Sequence, residues 1–206
     1  MDTDFKHIFV PGDLSLPVLL LLHGTGGDEH DLVELGQSVS PGSAILSVRG
    51  KVLENGMPRF FRRLAEGVFD LADLNFRTNE LADFIAQARV QYGLSESRVI
   101  AMGYSNGANI VASILFSRPE ALQGAILLRA MVPFRPKELP DLRGKKILML
   151  SGLMDQIIPI ENSKTLTGLL QDAGADVTFD VKPAGHGLTQ ADFLAIKNWM
   201  LSANIP

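Results

Sequence analysis

The chain has 206 residues, of which 46% are apolar, and a slightly positive mean hydropathy, enough apolar mass for one sizeable core; it reads as a single globular domain over residues 1–206. A net charge of −4 with mostly scattered Lys and Arg argues against nucleic acid as a partner, and the absence of cysteine excludes disulfides, thiolate nucleophiles and Cys-based metal sites. The four histidines lack metal-ligand spacing, so neither metal nor cofactor is expected; the acidic start and an apolar run of only residues 18–22 predict a cytoplasmic protein without membrane insertion.

Taken in order, residues 5–10 form a first strand ended by the turn Pro11-Gly12-Asp13. Residues 18–22, Val-Leu-Leu-Leu-Leu, have no polar alternation, as expected of a strand covered on both faces. They open into His23-Gly-Thr-Gly-Gly27, where glycines let the backbone turn and leave amides exposed for an anion; no Gly-Lys-Ser/Thr ending follows, which argues against a phosphate loop. A short helix over 30–39 precedes a second buried strand at 44–48. From 49 to 67 the periodicity disappears, which predicts a long ordered loop carrying Arg59, Arg62 and Arg63. A helix starting near Asp73 buries Leu74, Leu81, Ile85, Ala88 and Tyr92 and stops at Gly93.

The next strand, 99–102, runs into Gly103-Tyr-Ser-Asn-Gly107, and the period then changes to helical, with Ala108, Val111, Ala112 and Leu115 on one face. Ser105 therefore lies at a strand-to-helix turn, the context in which Gly-x-Ser-x-Gly holds a nucleophilic hydroxyl above the carboxyl end of a sheet. Further strands are expected at 124–128, 147–150 and 177–181, with helices around 163–173 and after Thr189 and Asp192, residues able to cap the closing helix. The connection 131–146 is too short for a cap domain, so the site should be an open cleft without interfacial activation. Alternating strands and helices predict an α/β fold, a mostly parallel twisted sheet of about six or seven strands with helices on both faces.

A serine hydroxyl needs a base, and elimination points to one histidine. His7 lies on a structural strand, His30 is a solvated residue near a helix start, and His23 more plausibly braces the Gly-rich loop. His186, between two glycines after the last strand, is the remaining candidate. Asp155, in the loop after the 147–150 strand, is the acid that would fix its tautomer, ahead of Asp176, Asp180, Asp141 and Glu138. The amides of Asn106 and Thr25 are the expected oxyanion donors.

With these residues in place the chain resembles the phospholipase/carboxylesterase family of α/β-hydrolases, which includes the acyl-protein thioesterases. The resemblance rests on Leu22-His-Gly-Thr-Gly-Gly-Asp-Glu29, Gly103-Tyr-Ser-Asn-Gly-Ala108, Gly152-Leu-Met-Asp155 with Pro159, and Gly185-His186-Gly187, in that order. It implies hydrolysis of carboxylic esters or thioesters through an acyl-enzyme, and frequent homodimers. The segment Glu54-Asn-Gly-Met-Pro-Arg-Phe-Phe61 places it nearest a bacterial branch, and Thr25, where the thioesterases commonly have a hydrophobic residue, weakens transfer of long-acyl specificity.

The expected partner is a small ester, short in its acyl chain or anionic. Arg59, first choice among the arginines, would bind a distal negative charge, the alternative being that the cluster pairs with Glu54, Glu66 or Asp70 and pins the loop. Met131, Phe134 and Met154 are candidate lining residues, with core or loop packing the alternative for Met131 and Phe134. A binding protein on the same fold and a lactone-opening hydrolase are the competing functions; the intact Ser105, Asp155 and His186 speak against the first.

Overall fold

The structure, a computed structural model, describes residues 4–96 and 98–202. Strand β1 (His7–Val10), β2 (Val18–Leu22), helix α1 (Val33–Val39) and β3 (Ile45–Val48) come first. Two hairpins follow, β4 (Val52–Glu54) with β5 (Met57–Arg59) and β6 (Arg63–Ala65) with β7 (Val68–Phe69). The remainder alternates: α2 (Leu71–Gln91), β8 (Val99–Tyr104), α3 (Asn106–Ser117), β9 (Gly124–Leu128), β10 (Lys146–Gly152), α4 (Ile160–Asp172), β11 (Asp176–Lys182) and α5 (Gln190–Ser202).

Seven strands form one sheet in the order β1-β3-β2-β8-β9-β10-β11, parallel throughout except for β1, which runs antiparallel to β3. Successive side chains of a strand point to opposite faces, and here both faces are covered. Leu20 and Leu22 enter a core shared with α2, α3 and α4, while Leu19 and Leu21 enter a second core closed by α1 and α5. That is why the run 18–22 has no polar position. Helix α3 is buried from Asn106 to Phe116, and a buried polar crossing to α2 is closed by the Thr78–Ser113 hydroxyl pair at 2.6 Å. At the start of α2, Asp70 accepts the Asp73 amide at 3.1 Å, and Gly93 follows its end with φ +69°.

The expected loop over 49–67 is instead the β4–β5 hairpin leading into β6–β7. Asn55 (φ 52°) and Gly56 (φ 80°) supply the two left-handed residues that a tight two-residue hairpin turn requires. Its strands are too short for alternation to show in the sequence. What ties the segment down is Phe60 and Phe61, both fully buried, with Phe61 meeting Phe69 edge-on at 5.0 Å. The connection between β9 and β10 is irregular and forms no lid; Phe134 packs against Phe116 (5.9 Å between rings), taking the core alternative. Among the described residues no helix is long and apolar enough to cross a membrane.

Candidate active site

The parallel strands deliver the expected residues to one edge of the sheet. Ser105 follows β8 with φ 52° and ψ −113°, a conformation an L-residue adopts at a cost of order 1–3 kcal/mol. Close backbone contact makes the flanking glycines obligatory. A Cβ on Gly107 would stand 2.0 Å from the Leu22 carbonyl oxygen, and one on Gly103 would stand 2.5 Å from the Gly107 carbonyl. The strain is held by the Ser105 amide donating to Leu128 O (2.8 Å) and the Asn109 amide donating to Ser105 O (2.9 Å).

His186 meets Ser105 and Asp155. The serine hydroxyl donates to His186 Nε2 at 2.9 Å, and His186 Nδ1–H donates to Asp155 Oδ2 at 2.8 Å. The Asp155 carboxylate is almost wholly buried, and its other oxygen accepts the amides of Ile157 (2.8 Å) and Ile158 (3.0 Å), so it is fixed before it orients the imidazole. The loops bearing the two residues are zipped together by the Leu153 and Met154 amides, which donate to Lys182 O (2.8 Å) and Ala184 O (2.9 Å). Gly152 permits this approach, since a Cβ there would lie 2.3 Å from Gly185 O.

Thr25 and Asn106 line the cleft beside Ser105, one from the loop after β2 and the other at the first turn of α3, where the helix dipole favours negative charge. Segment 58–60 holds both. Pro58 O accepts the Gly26 amide (2.9 Å), Arg59 Nη1 donates to Thr25 Oγ1 (2.7 Å), and the Phe60 amide donates to Asn106 Oδ1 (2.7 Å). His23 braces the same loop: its Nδ1–H donates to Gly24 O (2.6 Å) and its Nε2 accepts the Gly50 amide (3.0 Å).

This brace works only with a neutral ring, and burial lowers the His23 pKa below its ordinary value of 6.5. The unfolded chain therefore binds a proton that the folded chain refuses, so the stabilisation is present above about pH 6.5 and is lost as pH falls toward the lowered folded value. The Tm of the wild type should drop more steeply between about pH 7 and pH 5.5 than that of His23→Gln; parallel curves would remove His23 from the account.

Of the remaining expected residues, Arg59, Met131 and, from the same arginine cluster, Arg63 line the cleft, joined by Glu66, Asn109 and Phe69, which sequence reasoning did not place there. Arg62 does not. It is 62% exposed and pairs with Asp70 (2.9 Å) and Asp73, pinning the loop as the alternative reading had it. Met154 is 60% exposed, and its amide is spent on Ala184. A cavity of about 600 Å³ lies away from this chemistry, between β11 and α5 beside Trp199. Among the described residues no group of carboxylates and histidines is arranged to hold a metal ion.

The phospholipase/carboxylesterase family profile matches residues 4–204. The chain belongs to that family. MhqD of Bacillus subtilis (strain 168), a hydrolase by name, is 50% identical over 198 residues, spanning 96% of this chain and 98% of its own. The Bacillus cereus carboxylesterase superposes with TM-score 0.96 at 49% identity, covering 98% of this chain and 96% of that one. YahD, whose structure was solved with malic acid, superposes with TM-score 0.93 at 32% identity, over 98% of this chain and all (100%) of that one. Membership in this family makes the protein an esterase-type hydrolase.

One buried residue behind this family site escaped the sequence reading. Arg129 follows β9 with φ 55° and is 1% exposed. Its Nε donates to Gly185 O (3.0 Å) and its Nη2 to Gly187 O (3.0 Å), the carbonyls on either side of His186. The same guanidinium makes a two-pronged pair with Asp192 at 2.9 and 2.8 Å, and Asp192 also accepts the amide and hydroxyl of Thr189 (2.8 Å each). Against the burial that raises it, these hydrogen bonds hold the Asp192 carboxyl below its ordinary range. Tyr104 adds a further hold, its hydroxyl donating to His186 O at 3.1 Å. The available signal was a lone arginine in the otherwise apolar Gly124-Ala-Ile-Leu-Leu-Arg-Ala-Met-Val132.

Proposed function

We propose that the protein is a serine esterase acting on small esters, short in the acyl chain or anionic, through an acyl-enzyme. Ser105 Oγ attacks the ester carbonyl carbon while His186 Nε2 takes the hydroxyl proton; Asp155 keeps Nδ1 protonated and stabilises the imidazolium. The carbonyl oxygen becomes an oxyanion received by the Thr25 and Asn106 amides. Collapse expels the alcohol, which leaves with the proton from His186, and water activated by the same imidazole then frees the acid and restores Ser105.

The observation that carries this reading is the hydrogen-bonded chain from Ser105 through His186 to Asp155 at the floor of an open cleft. Malic acid in the YahD structure, a short acid with two carboxyl groups, supports an anionic ligand, as do Arg59 and Arg63 in this cleft. A fluorophosphonate probe should label the wild type and fail to label Ser105→Ala. Absence of labelling in the wild type would favour a protein that uses the pocket for recognition alone.

A further inference from the structure

The cleft has two lobes that meet at Ser105. One is lined by Tyr104 and His186, the other by Arg59, Asn106, Asn109 and Met131, while Thr25, Arg63, Glu66 and Ile157 border both. If Ser105 is the nucleophile, the chemistry assigns the lobes. The alcohol must receive its proton from His186 Nε2, so it leaves through the His186 lobe; the oxyanion points at the Thr25 and Asn106 amides, and the acyl group takes the direction that remains.

Resting on the esterase reading, we infer that the substrates are half-esters of short dicarboxylic acids: the ester carbonyl sits at Ser105 and the free carboxylate of the acyl part is held by Arg59 and Arg63. Size and charge point the same way. The acyl lobe is a cavity of about 40 Å³ against about 340 Å³ on the alcohol side. A single water needs roughly 10–15 Å³ of such space, so the smaller lobe admits only a few heavy atoms. A long hydrocarbon acyl chain does not fit, whereas a methylene or two ending in a carboxylate does.

Its polar lining consists chiefly of donors. Arg59 is 3% exposed, and its hydrogen bonds to protein run through Nε (to Phe61 O, 3.2 Å) and Nη1 (to Thr25 and Glu54), which leaves the Nη2 amino group for a ligand. Arg63 uses Nε on Glu54 at 3.0 Å. Glu54 is thus one carboxylate shared by two guanidiniums, with its pKa lowered by the Arg63 hydrogen bond and by the charge of Arg59, and these three groups together leave one positive charge uncompensated. Asn109 adds to the donor set, since its Oδ1 is occupied by the Met131 amide (2.9 Å) and its amide group remains. Glu66 is the opposing group; it is exposed and stands at the rim where the two lobes join. A planar guanidinium fork matches a carboxylate in two-pronged fashion.

The placement predicts which end of the ester the charge must be on. Monoethyl succinate should exceed its neutral isostere ethyl 4-methylpentanoate by about 10- to 100-fold in kcat/KM, measured as acid release in a pH-stat. Acetoxyacetate, with the carboxylate on the alcohol, should gain nothing over isobutyl acetate. Arg63→Gln, at a part-exposed position that spares the fold, should lower the acyl-side ratio at least about tenfold, whereas Arg59→Ala would also release Thr25 and is the less clean variant. Succinate should inhibit competitively, and butanoate should not. Turnover of the neutral esters with no acyl-side preference, or a preference on the alcohol side, overturns the inference and leaves the esterase reading standing. No turnover of any of the four esters, with the fold intact, overturns the esterase reading itself.

Discussion

Ser105→Ala and His186→Ala should each lower kcat on a neutral aryl acetate by about 10⁴- to 10⁶-fold, and the double variant should be hardly worse than either. The reason lies in the single hydrogen-bonded chain: without the imidazole the hydroxyl keeps its proton, and without the hydroxyl the imidazole has nothing to activate. What survives is the oxyanion site and substrate positioning. Asp155→Asn separates geometry from charge. An asparagine oxygen can still accept the Ile157 and Ile158 amides, so the loop keeps its shape. Its amide group would face His186 Nδ1, however, and force the tautomer whose Nε2 carries the proton and cannot accept one from Ser105; a loss on the order of 10⁴ is expected. Near wild-type turnover by His186→Ala would reassign the base, and His23, whose two ring nitrogens are spent on Gly24 and Gly50, would not be the replacement.

The residues legible in the sequence are those whose environment is written locally. Ser105 sits where a buried strand gives way to a helix, and the glycines beside it are demanded by backbone atoms of neighbouring turns. Asp155 follows an apolar run and His186 an alternating one, and a parallel sheet brings the carboxyl ends of such strands to one edge, so chain order alone was enough to group them. Arg62 and Arg63 show where this stops. Adjacent residues of an extended chain point to opposite sides, so at most one of the two can face the cleft, and which one depends on the register of a two-residue strand against its partner. The β4–β5 hairpin was missed for a related reason: three-residue strands are too short for periodicity, although Asn55-Gly56 carried the turn signal.

A lone arginine in an apolar run was the only local sign of Arg129, and it could not show the role, because the groups around His186 that it holds lie 56 to 63 positions further along the chain. Arg129→Met should cost about 3–5 kcal/mol in a denaturant titration, since it leaves Asp192 ionised, 1% exposed and without its counter-charge. The double variant Arg129→Met/Asp192→Leu should recover much of that stability, because replacing both members of a buried pair with apolar side chains is often neutral or better. Activity should not recover with it. The Gly185 and Gly187 carbonyls lose their donors in both variants, and the loop that presents His186 to Ser105 is then held by Tyr104 and the zipper to Met154 alone. A misplacement of about 1 Å in a reacting group can cost on the order of 100-fold, so kcat in the double variant should stay about 10- to 100-fold below wild type while KM for a neutral ester hardly moves. Recovery of stability and kcat together would make Arg129 a packing residue; recovery of stability alone makes it the residue that positions the base.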